Sequence, residues 1–176
     1  MSEKYLIVVD MQEDFIYGAL GSPEARGIVP AVVEMVKNFD GTVVFTKDTH
    51  QDNYMDTQEG KFLPVPHCIN LTKGWELIES LEIIQKEKNY PVYTKGTFGC
   101  TCLAADLQAA HSKQEIASVE FIGVCTDICV VSNALLLKAY LPEVPVIVHA
   151  SCCAGVTPQK HEAALETLRS CQIMVR

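Results

Sequence analysis

No apolar stretch in this sequence reaches the ~18 residues that a membrane-spanning helix needs, and no cluster of lysine and arginine occurs anywhere along it. Its 14 basic residues face 22 acidic ones, for a formal net charge of -8, which argues against nucleic acid or an anionic membrane as a partner. Gly-x-Gly-x-x-Gly and Walker-type loops are both missing, so no nucleotide site is announced. The eight cysteines, at 68, 100, 102, 125, 129, 152, 153 and 171, include no Cys-x-x-Cys pair. That excludes the usual structural zinc site and the helix start of a thiol redox protein. The first residues, Met1-Ser-Glu-Lys4, run directly into an apolar segment with neither a signal h-region nor a cleavage site. A cytoplasmic location is therefore expected, in which the thiols stay reduced.

What is present is ordinary globular composition, 48% hydrophobic and 20% charged over 176 residues, a length that suits a single domain spanning 1–176. Short runs rich in Val and Ile alternate with helix-length amphipathic segments. This order predicts an α/β protein, a three-layer α/β/α Rossmann-like fold with a six-stranded parallel sheet. The strands are expected at Tyr5 to Val9, Thr42 to Thr46, Pro91 to Thr94, Ala117 to Val124, Val144 to His149 and Gln172 to Val175. Helices are expected near Ile28 to Asn38, Trp75 to Leu81, Cys100 to Ala110, Asp127 to Tyr140 and Pro158 to Ser170. The unalternating run at Tyr5 to Val9 reads as a central strand buried on both faces. Residues 47–73 show neither period, and a loop this long is usually functional or disordered; its Asp, His and Pro content favours function.

Ligands of doubly wound sheets bind at the carboxyl ends of the strands. There the sequence places Asp10, then Lys47-Asp48-Thr-His50, then Lys95, then Cys125 with Cys129 just beyond. Thr126 or Asp127 can cap the helix that follows. Cys129 would then sit in its first turn, where free N–H groups favour a thiolate and lower its pKa. The same N–H groups could stabilise an oxyanion. Asp10 suits a general base that takes the thiol proton, and Lys95 a positive charge that favours both anions. Histidine offers no alternative base, since His111 and His161 fall in predicted helices and His149 at a strand end. Each residue also has an ordinary structural use, Asp10 as a cap and Lys95 as a solvated cation.

Three segments together carry a resemblance. Val8-Val-Asp10-Met-Gln-Glu-Asp-Phe15, Tyr93-Thr-Lys95-Gly-Thr-Phe98 and Gly123-Val-Cys125-Thr-Asp-Ile-Cys129-Val130 are similar to the aspartate, lysine and nucleophile motifs of the isochorismatase-like cysteine hydrolases, and within them of the nicotinamidases. The resemblance runs from about residue 4 to 172. It implies a catalytic triad of Asp10, Lys95 and Cys129, a thioester intermediate, an oxyanion hole from the N–H groups of Cys125 and Cys129, and a cis peptide between Val124 and Cys125. Isochorismatases proper cleave a vinyl ether and lack the cysteine, so its presence points to hydrolysis of a small-molecule amide, most simply nicotinamide. A homo-oligomer is expected.

Asp48-x-His50 places two side chains on one side of an extended segment, and His67 can return to the same point. Nicotinamidases use such an Asp-x-His pair and a Pro-x-His histidine to hold a divalent metal that binds the substrate ring nitrogen. Glu59 or Asp52 would complete the set, with zinc, iron or manganese all suited to imidazole and carboxylate. The chain departs from many nicotinamidases in having Phe62-Leu-Pro-Val-Pro-His67, without an aromatic residue directly before the Pro-x-His element, so Phe15 is expected to supply the stacking face. The rival readings are a metal-free carbamoyl or ureido amidohydrolase of the same superfamily and a non-catalytic α/β ligand-binding module.

Overall fold

Val- and Ile-rich runs form strands because branched side chains pack well on a pleated surface, and here they form one sheet. The computed structural model describes residues 3–176. Its strands are Glu3–Val9 (β1), Thr42–Asp48 (β2), Val92–Lys95 (β3), Ile116–Val124 (β4), Val146–Ala154 (β5) and Met174–Val175 (β6). They are all parallel, in the order β3-β2-β1-β4-β5-β6. β1 is central and Leu6, Ile7, Val8 and Val9 are inaccessible to solvent, as its unbroken apolar run predicts.

The α-helices are Glu13–Ile16 (α1), Pro23–Asn38 (α2), Gln58–Phe62 (α3), Glu79–Lys88 (α4), Thr101–His111 (α5), Val131–Tyr140 (α6) and Pro158–Ser170 (α7). One apolar cluster joins β1, β4 and β5 to α5, α6 and α7 through residues such as Ile7, Val119, Leu107, Leu137 and Leu168. A second joins the other face to α2 and α4 through Leu6, Val8, Val32, Val36 and Leu81. These are the three expected layers. Among the described residues no helix is long and apolar enough to cross a membrane.

Several boundaries move for physical reasons. α2 begins five residues before Ile28, because Ser22 Oγ accepts the N–H of Ala25 and Pro23 suits the first turn. The helix expected at Trp75 to Leu81 lies at Glu79–Lys88. Trp75 instead closes a 3-10 turn, Lys73–Trp75, where its indole N–H donates to Thr49 and its ring lies under the Lys47 ammonium, 2.9 Å from the centroid. β5 runs on from His149 to Ala154, with an irregularity where Phe121 pairs with Val148 but Gly123 with Cys153.

Candidate active site

The strand order reverses direction between β1 and β4, and the crevice above their carboxyl ends is where such sheets bind ligands. Asp10 follows β1 with a φ of 50°, a left-handed conformation that Asp tolerates better than most residues. β4 ends across from it. Gly123, paired with Val9, has a φ of 116°, and a Cβ there would lie 2.2 Å from the Val9 carbonyl oxygen. Only glycine fits that approach. The next peptide, Val124–Cys125, is cis, as the resemblance implies.

Asp10, Lys95 and Cys129 come together in this crevice. The Lys95 ammonium lies 2.7 Å from Asp10 Oδ2, 3.5 Å from Cys129 Sγ and 3.5 Å from Asp48 Oδ1. Thr46 Oγ1 donates to Asp10 Oδ1 at 2.7 Å. Asp10 Oδ2, fully buried, has the Lys95 ammonium at 2.7 Å as its compensating charge.

Burial raises the Asp10 carboxyl above its ordinary value, and the Lys95 charge only partly offsets this. Burial works against the Lys95 ammonium, but the charges and hydrogen bond around it, those of Asp10 foremost with Asp48 also contributing, together outweigh it and raise its pKa. The Cys129 thiol is pushed well up, first by burial and then by the Asp10 charge. This corrects the expectation of a thiol lowered by a helix start. Residues Thr126–Val130 form a π-type turn that runs directly into α6, so the helix starts near Asp127 as expected with Cys129 in its first turn, but neither Thr126 nor Asp127 caps it. Thr126 instead pairs with His161 Nδ1 at 2.8 Å, and Asp127 accepts the N–H of Val156 at 2.9 Å. Together they fasten the turn to the first turn of α7 and to the segment leading into it. Cys125 stands at the turn's start, half-buried, its thiol pushed up to about 12 by burial and then by Asp127.

Asp48, His50, Glu59 and His67 form one group whose ligand atoms all lie within 4.8 Å of one another. His50 Nε2 is 3.0 Å from Asp48 Oδ2 and 3.6 Å from Glu59 Oε1, while His67 Nε2 is 3.6 Å and 3.9 Å from the same two atoms. His67 Nδ1 donates to the Val65 carbonyl at 2.8 Å, which leaves Nε2 as the ligating nitrogen. Two buried imidazoles and two carboxylates aimed at one point fit a divalent metal such as zinc, iron or manganese. Burial opposes ionisation of Asp48, but bonds from His50 and His67 hold its carboxyl below the usual range. Asp52 is exposed and outside the group, so of the two fourth ligands considered, Glu59 is the one in place. It rides on α3, where Thr57 Oγ1 caps Gly60 N–H.

Gln12 went unrecognised in the sequence. Fully buried, it accepts the Asp48 N–H at 2.7 Å and donates to the carbonyls of Asp48 and Trp75, each at 2.9 Å. It locks the β2 end to the β1 end. Its only sequence signal was a lone amide following an apolar strand.

A cavity of about 350 Å³ opens over these groups, lined by Phe15, Asp48, Glu59, His67, Phe98, Cys125 and Cys129. Phe15 meets the His67 ring edge-on at 5.5 Å. A more open groove of about 420 Å³, lined by Lys4, Glu34, Asp40 and Glu120, lies away from all of them. The arrangement can activate a thiol beside a carboxylate, stabilise negative charge with a fixed ammonium and hold a flat apolar substrate next to a metal.

The family model for the isochorismatase domain matches residues 4–176. An uncharacterized isochorismatase family protein PncA of Bacillus subtilis is 30% identical over 173 residues, which cover 93% of this chain and 92% of that one. The crystal structure of nicotinamidase PncA from B. subtilis superposes with a TM-score of 0.82 at 31% identity, covering 98% of both chains. That of the pyrazinamidase of Pyrococcus horikoshii in complex with zinc gives 0.78 at 29% identity, covering 99% of this chain and 98% of the other.

Proposed function

This chain belongs to the isochorismatase family, and we propose that within it the protein is a nicotinamidase-like amide hydrolase in which Cys129 is the nucleophile, Asp10 the proton carrier and Lys95 the fixed charge. The observation that carries the reading is the meeting of the buried Lys95 ammonium with Asp10 at 2.7 Å and, at 3.5 Å, with Cys129, which lines the cavity. The B. subtilis nicotinamidase and the zinc-bound pyrazinamidase support the substrate class.

The chemistry follows from the charges. The resting thiol is neutral, so attack requires its proton to move to Asp10 Oδ2 as the sulfur–carbon bond forms. The carbonyl electrons pass to oxygen, which in this reading is held by the N–H groups of Cys125 and Cys129. Collapse breaks the carbon–nitrogen bond, and Asp10 returns the proton to the departing amine, giving ammonia and a thioester. Water then attacks the thioester and gives its proton to Asp10; the carbon–sulfur bond breaks, and Asp10 hands that proton to the departing sulfur, giving the carboxylic acid, the free thiol and the ionised Asp10 again. Lys95 remains protonated throughout and stabilises the anionic forms of both neighbours.

A metal held by Asp48, His50, Glu59 and His67 would supply a Lewis-acidic anchor for an aromatic ring nitrogen. Phe15 and Phe98 supply apolar walls for the ring. Eight free thiols accord with a reducing, cytoplasmic setting.

The test is ammonia release from a panel containing nicotinamide, pyrazinamide and carbamoyl and ureido compounds, with and without chelator. We expect the pyridine and pyrazine carboxamides to be preferred and chelator to weaken the preference. Selective turnover of ureido compounds, unaffected by chelator, would replace this reading with the metal-free one.

A further inference from the structure

Asn133, one helical turn beyond Cys129, is only 3% exposed, although the rest of α6's inner face is apolar. A buried amide is costly unless its hydrogen bonds are made, and this one makes three. Its Nδ2 donates to the Cys129 carbonyl at 2.8 Å and to the Phe98 carbonyl at 3.0 Å, while its Oδ1 accepts the Cys100 N–H at 2.8 Å. The orientation of the amide is fixed by its partners. Turned over, it would face two carbonyls with an oxygen and a backbone N–H with an NH2 group.

Among the described residues, these three bonds are the side-chain bonds to the backbone that join two segments. One is the turn that carries Cys129. The other is the 96–100 connection, which follows Lys95 and brings Phe98 to the wall of the substrate cavity. Lys95 and Cys129 stand on different strand ends, and their 3.5 Å approach depends on how those segments are held against each other. Thr126 and Asp127 fasten the same turn on its opposite side, to the start of α7. Asn133 is the corresponding attachment on the lysine side.

We propose that Asn133 is a positioning residue for the reaction: it sets the separation of the Cys129 thiol from the Lys95 ammonium and fixes Phe98 at the cavity wall. The role rests on the reading of Cys129 as nucleophile. Shifts of about 1 Å in such a pair cost about 100-fold in rate. Steady-state kinetics with nicotinamide, normalised to the folded fraction from near-UV circular dichroism, supply the test. Asn133→Asp keeps the shape but turns a carboxylate oxygen toward two carbonyls. Asn133→Ser removes the bonds without adding charge, and serves if the aspartate variant does not fold.

We expect kcat per folded molecule to fall about 10- to 100-fold with KM changed less than about threefold. Val36→Ala, which opens a cavity in α2 on the far side of the sheet, serves as a control that lowers stability but keeps kcat. Full kcat in a folded Asn133 variant, or an equal loss in Val36→Ala, would overturn the positioning role and leave the proposed function standing. A wild-type protein that releases ammonia from no amide would remove the function itself, and this role with it.

Discussion

In the proposed mechanism Asp10 carries the largest burden of any single residue, because the thiol it serves is not self-activated. Burial raises the Cys129 thiol, so the mechanism needs a carboxylate to accept its proton. Asp10→Asn preserves the shape and the Thr46 contact but cannot take a proton. We predict that it folds like the wild type and loses about 10³-fold or more in kcat, measured by ammonia release alongside thermal unfolding. A collapsed unfolding transition would instead assign Asp10 a structural role. The same residue sets the pH dependence. Activity requires ionised Asp10, and its carboxyl is raised by burial, so kcat/KM falls as pH drops through that raised value. The acid limb should therefore lie clearly above the ~3.9 of an unperturbed aspartate; a limb at or below it in the pH profile would contradict this electrostatic picture. The reactive residues were legible in the sequence because they follow strands. Gln12, Thr46 and Asn133 were not, since one buried polar side chain leaves no periodic trace and its partners are distant in sequence.

At the level of elements, the strand ends do the positioning. β1 and β4 approach so closely at Val9 and Gly123 that a side chain is excluded, and the residues that follow emerge as Asp10 on one side and the cysteine turn on the other. Gly123→Ala combines a clash with the Val9 carbonyl and a φ of 116°. We predict destabilisation of about 3 kcal/mol or more, read from the urea midpoint. An unchanged midpoint would mean that the strands can part without consequence. Strands and most helices were readable from their apolar periods, and α7 falls where it was expected. The helix expected at Trp75 was displaced because Trp75, Gln12, Thr49 and Lys47 make a tertiary contact that propensity does not encode. The π-type turn was equally invisible, and so was the burial that raises the Cys129 thiol.

Over the whole molecule, the sheet order brings four strand ends to one crevice, and the long segment between β2 and α4 folds back to complete it. The Asp, His and Pro content of that segment favoured a functional loop. Its convergence on Asp48 was not readable, because His67 returns through a chain path with no repeating pattern. We predict one divalent metal per chain by elemental analysis, and its loss in His67→Ala, with a larger rise in KM than fall in kcat because substrate holding suffers more than attack. Metal-free wild-type protein with full activity would contradict this assignment.

The most direct test of the account is the initial rate of ammonia release from nicotinamide by wild type, Cys129→Ala and Cys125→Ala at equal folded concentration. In the proposed mechanism Cys125 lends only a backbone N–H and a wall, whereas Cys129 forms the bond. The account predicts no detectable turnover by Cys129→Ala and a substantial residual rate for Cys125→Ala. Equal losses in the two variants, or ammonia release that survives without Cys129, would contradict it.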